Sequence, residues 1–141
     1  MLDFKTLEEM ALRGNPSRVD LMVGDLIGGS IGILPADATA SNFGKLLSGA
    51  SAEDIAAGIL NLVSQTIGVV SAMAAKAYNL EDDVVVTGML AKNRLFSKII
   101  YETVKMLSVN VSIPENCELA SALGAVVAYL REGAAQIKEK I

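Results

Sequence analysis

SAEDIAAGILNLVSQTIGVVSAMAAKAYN, residues 51–79, decides how the rest of the chain is read. Ser51 can accept from backbone N–H groups two or three residues on, and Glu53 and Asp54 suit the positive end of a helix dipole. From Ile55 to Ala75 there is no charged side chain. Lys76 then sits near the dipole's negative end, and Asn79 tolerates the left-handed conformation that ends helices. At about 1.5 Å per residue this helix spans roughly 40 Å, the width of a domain. A helix this apolar is either a central core helix or a membrane span. Asn61, Ser64, Gln65, Thr66 and Ser71 interrupt it, and its flanks carry neither aromatic belts nor a basic bias. It is therefore read as a buried helix around which the rest of the chain packs. Ala56, Ala57, Gly58, Gly68, Ala72, Ala74 and Ala75 allow other backbones to approach it closely.

Working outward, 141 residues amount to a single domain with one core. Residues 1–50 read as an irregular subdomain of short helices, and 51–141 as the long helix followed by strand, helix, strand and helix. The hydrophobic content of 52% and mean hydropathy of +0.44 are high for a monomer of this size, so part of the apolar surface is expected to bury against a partner. With 4% aromatic residues and no Trp, the core must be built from Ala, Val, Ile, Leu and Met.

Charge and composition exclude several functions. A net charge of −4 and a pI near 4.8 argue against nucleic acid, and no basic cluster suits an anionic membrane. The single Cys117 rules out an internal disulfide. The absence of His excludes tetrahedral His-containing zinc sites and Ser-His or Cys-His nucleophiles. Residues 1–5 have neither the basic nor the apolar region of a signal peptide, so a cytoplasmic location is expected.

At the start, Phe4, Leu7, Met10 and Ala11 form one face of a helix that stops at Arg13-Gly14-Asn15-Pro16. Ser17–Val23 reads as a brief second helical turn. Four glycines between Gly24 and Gly32 then make a shaped loop. A phosphate cradle at Asp25–Ser30 is disfavoured, because neither G-x-x-x-x-G-K-[ST] nor G-x-G-x-x-G is present. Pro35–Gly44 is expected to lead into a short helix ending near Leu47–Gly49. The small side chains at 38–41 leave backbone open to a ligand or a neighbouring chain, or else pack a tight turn under the long helix.

Beyond the long helix, Glu81-Asp82-Asp83 reads as a solvated acidic turn with no metal site. Val84–Thr87 has the β-branched character of a parallel strand buried on both faces. A turn at Gly88 leads to a helix beginning near Asn93, then a strand over Val109–Ile113 and a last helix from Cys117 to about Lys138. These elements make a βαβ unit, and ligands of such sheets sit at the carboxyl ends of the strands. Cys117 reads as a small buried hydrophobe.

Five stretches in order resemble type II pantothenate kinases. They are Val19–Leu26, Leu34–Lys45, Leu62–Gly68, Val85–Gly88 with Asn93, and Ile113–Asn116 with Ala120–Ala125. The resemblance covers roughly residues 4–130 and implies a helix-rich α/β, ribonuclease-H-like C-terminal half-domain of the actin, sugar-kinase and Hsp70 superfamily, with the βαβ unit packed on the long central helix. It implies Mg-ATP-dependent phosphorylation of pantothenate, the first step towards coenzyme A. It places Thr87, Gly88, Lys92 and Asn93 on the base side of the nucleotide, with the turn one residue shorter than in some relatives. It also implies a homodimer in which Thr39 and Ala40 reach the partner's pantothenate pocket. Small residues in Ala120–Gly124 would let two domains hinge.

The phosphate-binding D-x-G-G-T turn, the catalytic Glu and the second Gly-rich phosphate turn of these kinases have no counterpart among the 141 residues. No catalytic residue and no phosphate or metal site is therefore assigned here, and the chain is expected to work with an N-terminal half. Two other readings compete. One is a non-catalytic homodimerising module. The other is an activator ATPase, after the likeness of Thr87–Asn93 to a G-x-A-K-N turn; the cluster-binding cysteines of those proteins are missing.

Overall fold

The computed structural model of the chain describes residues 4–46 and 49–138. Its longest element, α3, runs from Ala52 to Tyr78 over 27 residues. Both ends carry the expected caps. Ser51 Oγ accepts from the Asp54 N–H at 3.0 Å, and the Asp54 carboxylate accepts from the Ser51 N–H. Asn79 closes the helix in the left-handed conformation, at φ 56°.

Before α3 come α1 (Phe4–Arg13), a 3-10 turn at Pro16–Arg18, β1 (Leu21–Met22), the short helix α2 (Val23–Ile27) and β2 (Thr39–Ser41). After it come β3 (Val84–Val85), a 3-10 turn at Met89–Lys92, α4 (Arg94–Met106), β4 (Val111–Ser112), a turn at Cys117–Leu119 and α5 (Ala120–Lys138). Among the described residues the chain is thus a helix-rich α/β structure with two small sheets. β1 and β2 pair antiparallel, whereas β3 and β4 pair parallel with α4 between them in sequence.

The core lies where α1 and α4 pack against one face of α3. Ala11, Ala56, Ala57, Leu60, Ala72, Ala75, Phe96, Ile100 and Val104 are buried there, together with Cys117. The small residues permit this close approach. The Cβ that Gly68 lacks would lie 3.0 Å from Thr103 of α4.

Several sequence expectations change. Residues 21–22 form a strand where a helical turn was expected, because Met22 and Leu21 pair with Thr39 and Ser41. The helix expected after Gly44 is replaced among the described residues by strand and turn; Leu47 and Ser48 lie outside those residues. Val85 of β3 is 56% exposed, so this strand is not covered on both faces. Nor is α3 enclosed. Ile59, Leu62, Val63, Ile67, Val69, Val70 and Met73 all lie open to solvent, although α3 is long and apolar enough to cross a bilayer. In α5, every residue from Ser121 to Arg131 is exposed. Apolar composition, which led to the expectation of an enclosed helix, cannot tell a core face from a face awaiting a partner.

Candidate functional site

Two places gather the residues singled out from the sequence. The first is the turn after β3. Beyond Val85 the chain keeps one more parallel bond, with the Val86 N–H donating to the Ser112 carbonyl at 3.0 Å. Thr87 is exposed. Gly88 then takes φ +108°, where a side chain would strain the backbone, and a Cβ built there meets nothing within 4 Å. Its N–H donates to the Cys117 carbonyl, which ties the turn to the start of the last helix. The space in front of Gly88 is therefore open, and only a residue without a side chain leaves it so.

Asn93, five residues on, is 2% exposed. Its Oδ1 caps α4 by accepting from the Phe96 N–H at 2.9 Å. Its Nδ2 is buried without a partner among the described residues. Buried donors are almost always paired, so this amide is a group looking for an acceptor. Lys92 is differently engaged, since its ammonium is bound to the Glu118 carboxylate. Hydrogen bonding to that carboxylate, and then its charge, raise the Lys92 pKa; the same contact lowers that of Glu118. The turn thus offers an open glycine and a buried amide donor, with the lysine held to one side.

The second place is β2. Thr39 and Ala40 are neighbours in a strand and so face opposite ways. Ala40 is exposed, whereas Thr39 is half-buried against α3. Thr39 Oγ1 accepts from Asn61 Nδ2 at 3.1 Å and from Gln65 Nε2 at 3.0 Å. Asn61 in turn donates to Asp20 Oδ2 at 2.7 Å, and Asp20 Oδ1 accepts from the Phe43 N–H at 2.7 Å. A cavity of about 630 Å³ opens beside this cluster, bounded by Thr39, Asn61 and Gln65, by Pro35 and Asp37, and by Ile99 and Glu102 of α4. None of Thr87, Gly88, Lys92 or Asn93 lines it, so the two places are separate.

Asp20, Asn61 and Gln65 were not singled out from the sequence as site residues. A signal was present: Asn61 and Gln65 are four apart in an uncharged helix and share one face with Ser64. Asp20 lay inside a recognised stretch but had no visible partner.

The Gly-rich loop uses its polar groups internally. Asp25 accepts from the Met22 N–H and from Lys45 Nζ at 2.6 Å, and Ser30 Oγ accepts from the Ala36 N–H. The Lys45 ammonium, followed by the Met22 amide, holds the Asp25 carboxyl below its ordinary value. No group of three or more potential metal ligands occurs among the described residues.

The Fumble family model matches residues 1–128. The chain belongs to the Fumble family. It is 29% identical over 126 residues to a type II pantothenate kinase of Oceanobacillus iheyensis, covering 88% of this chain and 48% of that protein. A type II pantothenate kinase of Staphylococcus aureus (strain USA300) is 24% identical over 128 residues, with the same coverage. Pantothenate kinase 2 of Oryza sativa subsp. japonica is 39% identical over an alignment of 88 positions, which covers 55% of this chain and 10% of that protein. This Fumble-family chain spans about half the length of the bacterial relatives it matches, and corresponds to their C-terminal half.

Proposed function

We propose that this chain supplies the adenosine-side wall and the partner-facing substrate segment of an ATP-dependent pantothenate kinase, and that phosphoryl transfer requires an N-terminal half. The observation that carries the reading is the turn at Gly88–Asn93 in a chain matching the C-terminal half of type II pantothenate kinases. In this reading the flat face of an adenine lies over Gly88, where a Cβ would intrude, and Asn93 Nδ2 donates to the nucleoside. Lys92, bound to Glu118, fixes the turn instead of touching the nucleotide. ATP would arrive with Mg²⁺ held by its phosphates and by groups of the N-terminal half. The half-domain is of ribonuclease-H-like descent and works in the cytoplasm.

Phosphoryl transfer depends on positioning the phosphates and metal and on deprotonating the acceptor hydroxyl. The 141 residues contain none of the family's motifs for those tasks, so their share is binding and orientation. Ala40, exposed on β2, is the side chain that reaches a pantothenate pocket across a homodimer. The test mixes this chain with the portion of the Oceanobacillus iheyensis kinase that it does not match, and follows pantothenate-dependent ADP release. The mixture is expected to turn over while each piece alone does not. A mixture that binds tightly yet stays inactive would refute the catalytic part.

A second reading, a homodimerising module without catalysis, is favoured by the exposed apolar faces of α3 and α5. Val70, Met73, Val126 and Leu130 are each more than half exposed, a density that monomers rarely carry. Both readings include a dimer, so nucleotide binding measured beside light scattering separates the two. A stable dimer with no affinity for nucleotide would favour the module.

A further inference from the structure

The polar groups around β2 close into a ring. Asp20 accepts from Asn61, Asn61 donates to Thr39, and Gln65 also donates to Thr39. Gln65 Oε1 accepts from Asn42 Nδ2 at 3.3 Å, and Phe43, the next residue, returns to Asp20 through its N–H. We infer that Asp20 and Asn61 are positioning residues that fix the segment Thr39–Phe43, and with it the exposed Ala40, for substrate. This rests on the reading of Thr39 and Ala40 as substrate-side residues.

Three observations carry it. Asp20 is 0% exposed and takes part in no ion pair among the described residues, so its carboxylate is compensated by two N–H donors alone. A buried carboxylate without a cation is a costly way to add stability, whereas it can impose one geometry on its donors. Phe43 has φ +56°, a left-handed conformation uncommon for a residue with a side chain, and its N–H is the one Asp20 holds. Finally, the segment is gripped on both sides of Ala40, through Thr39 before it and through Asn42 and Phe43 after it. Ala40 has no freedom to shift unless the ring opens.

The chemistry makes a sharp test. In Asp20→Asn, the new amide accepts at one atom only. If it keeps Asn61 Nδ2 as its donor, it turns its own NH2 towards the Phe43 N–H and that bond is lost. Asn61→Asp alone sets two carboxylates face to face. The double exchange D20N/N61D restores each pair: the amide at position 20 accepts from Phe43 and donates to the oxygen that takes the place of Asn61 Nδ2, and that same oxygen accepts from the Thr39 hydroxyl.

Amide NMR of the full 141-residue chain reads this directly. Asp20→Asn is expected to speed hydrogen exchange at Phe43 by about ten-fold or more and to move the Thr39–Ser41 resonances, while Ile100 and Val104 in the core keep their protection. The double exchange is expected to restore the original pattern. Should Asp20→Asn not fold, Gln65→Leu cuts the grip on Thr39 and Asn42 without touching Asp20. It should move Ala40 and leave Phe43 protected. Unchanged exchange at Phe43, or a double variant no better than the singles, would overturn the ring.

In the reconstituted kinase, Asp20→Asn is expected to raise the pantothenate KM about ten-fold with the ATP KM unmoved, and the double exchange to recover it. A ring opened by NMR with the pantothenate KM unmoved would overturn the positioning role alone. A reconstituted kinase in which the unaltered chain gives no pantothenate-dependent turnover would overturn the kinase reading, and the positioning role with it.

Discussion

Gly58 and Gly68 lie in the middle of α3, and replacing either by Ala removes the same backbone penalty, about 1 kcal/mol in favour of the helix. The structure gives the two substitutions different outcomes. At Gly58 the new Cβ would stand 2.5 Å from Val19 Cγ2 and 3.2 Å from the Phe43 ring. Val19 is 0% exposed and β-branched, so its side chain is stiff and has little room to retreat. Phe43 is held in place by Asp20. Carbon atoms rest at about 3.5–4.0 Å, so an overlap of about 1 Å must be relieved by moving the 3-10 turn and β1 away from α3. Overpacking of this kind costs about 1–3 kcal/mol. An approach of 2.5 Å belongs in the upper part of that range, about 2–3 kcal/mol, so against the helix gain Gly58→Ala is expected to lose about 1–2 kcal/mol net. At Gly68 the nearest atoms, Thr103 Cβ and Cγ2, are 3.0 Å away and need yield only a few tenths of an ångström. There the two effects nearly cancel, leaving a change within about 0.5 kcal/mol. Urea unfolding followed by circular dichroism separates them. With a slope of about 2 kcal/mol per molar urea, Gly58→Ala should lower the midpoint by about 0.5–1 M and Gly68→Ala should barely move it. A Gly58→Ala chain as stable as the original, or a Gly68→Ala chain that falls further, would refute the packing of Val19 and Phe43 against α3.

Other outcomes follow from the same geometry. Asn93→Ala should cost about 1 kcal/mol in a urea titration by removing the cap of α4, whereas Asn93→Ser, which keeps a capping oxygen, should recover most of it. The Asp54 carboxyl is held below its ordinary value of 3.8, chiefly by the Asn15 N–H and then by the Ser51 hydroxyl. A group lowered in this way contributes stability that is complete above the unfolded value and lost as pH falls through the lower folded value. Acid titration should therefore loosen the junction of α1 and α3 only below that ordinary value, and Asp54→Asn should flatten the acid limb. Val70→Lys, on the uncovered face of α3, should leave the urea midpoint unchanged but abolish any self-association seen by light scattering.

Periodicity and end signals made the long elements legible. Ser51, Asp54 and Asn79 act locally through backbone hydrogen bonds, so their roles could be read from neighbours in sequence. The same holds for Asn93 at the start of α4 and for Gly88 in its turn. β1 was missed because two residues carry no period, and what makes them a strand is pairing with residues 39–41. The Asp20 ring was missed for a related reason: its members are separated by 22 to 41 positions and meet only once β2 lies on α3. Recognising Val19–Leu26 as part of a family stretch located Asp20 without saying what it holds. The uncovered side of α3 was hidden by composition, since an exposed valine and a valine facing a core read alike.

We propose that the turn after β3 is a preformed adenosine wall. Its most direct test is calorimetry of ADP and Mg-ATP with the 141-residue chain and with Gly88→Val, which strains a φ of +108° and fills the open space. Micromolar binding of both nucleotides by the unaltered chain, and its loss in Gly88→Val with helix content retained, is the expected result. Equal binding by both chains, or none by the folded unaltered chain, would contradict it.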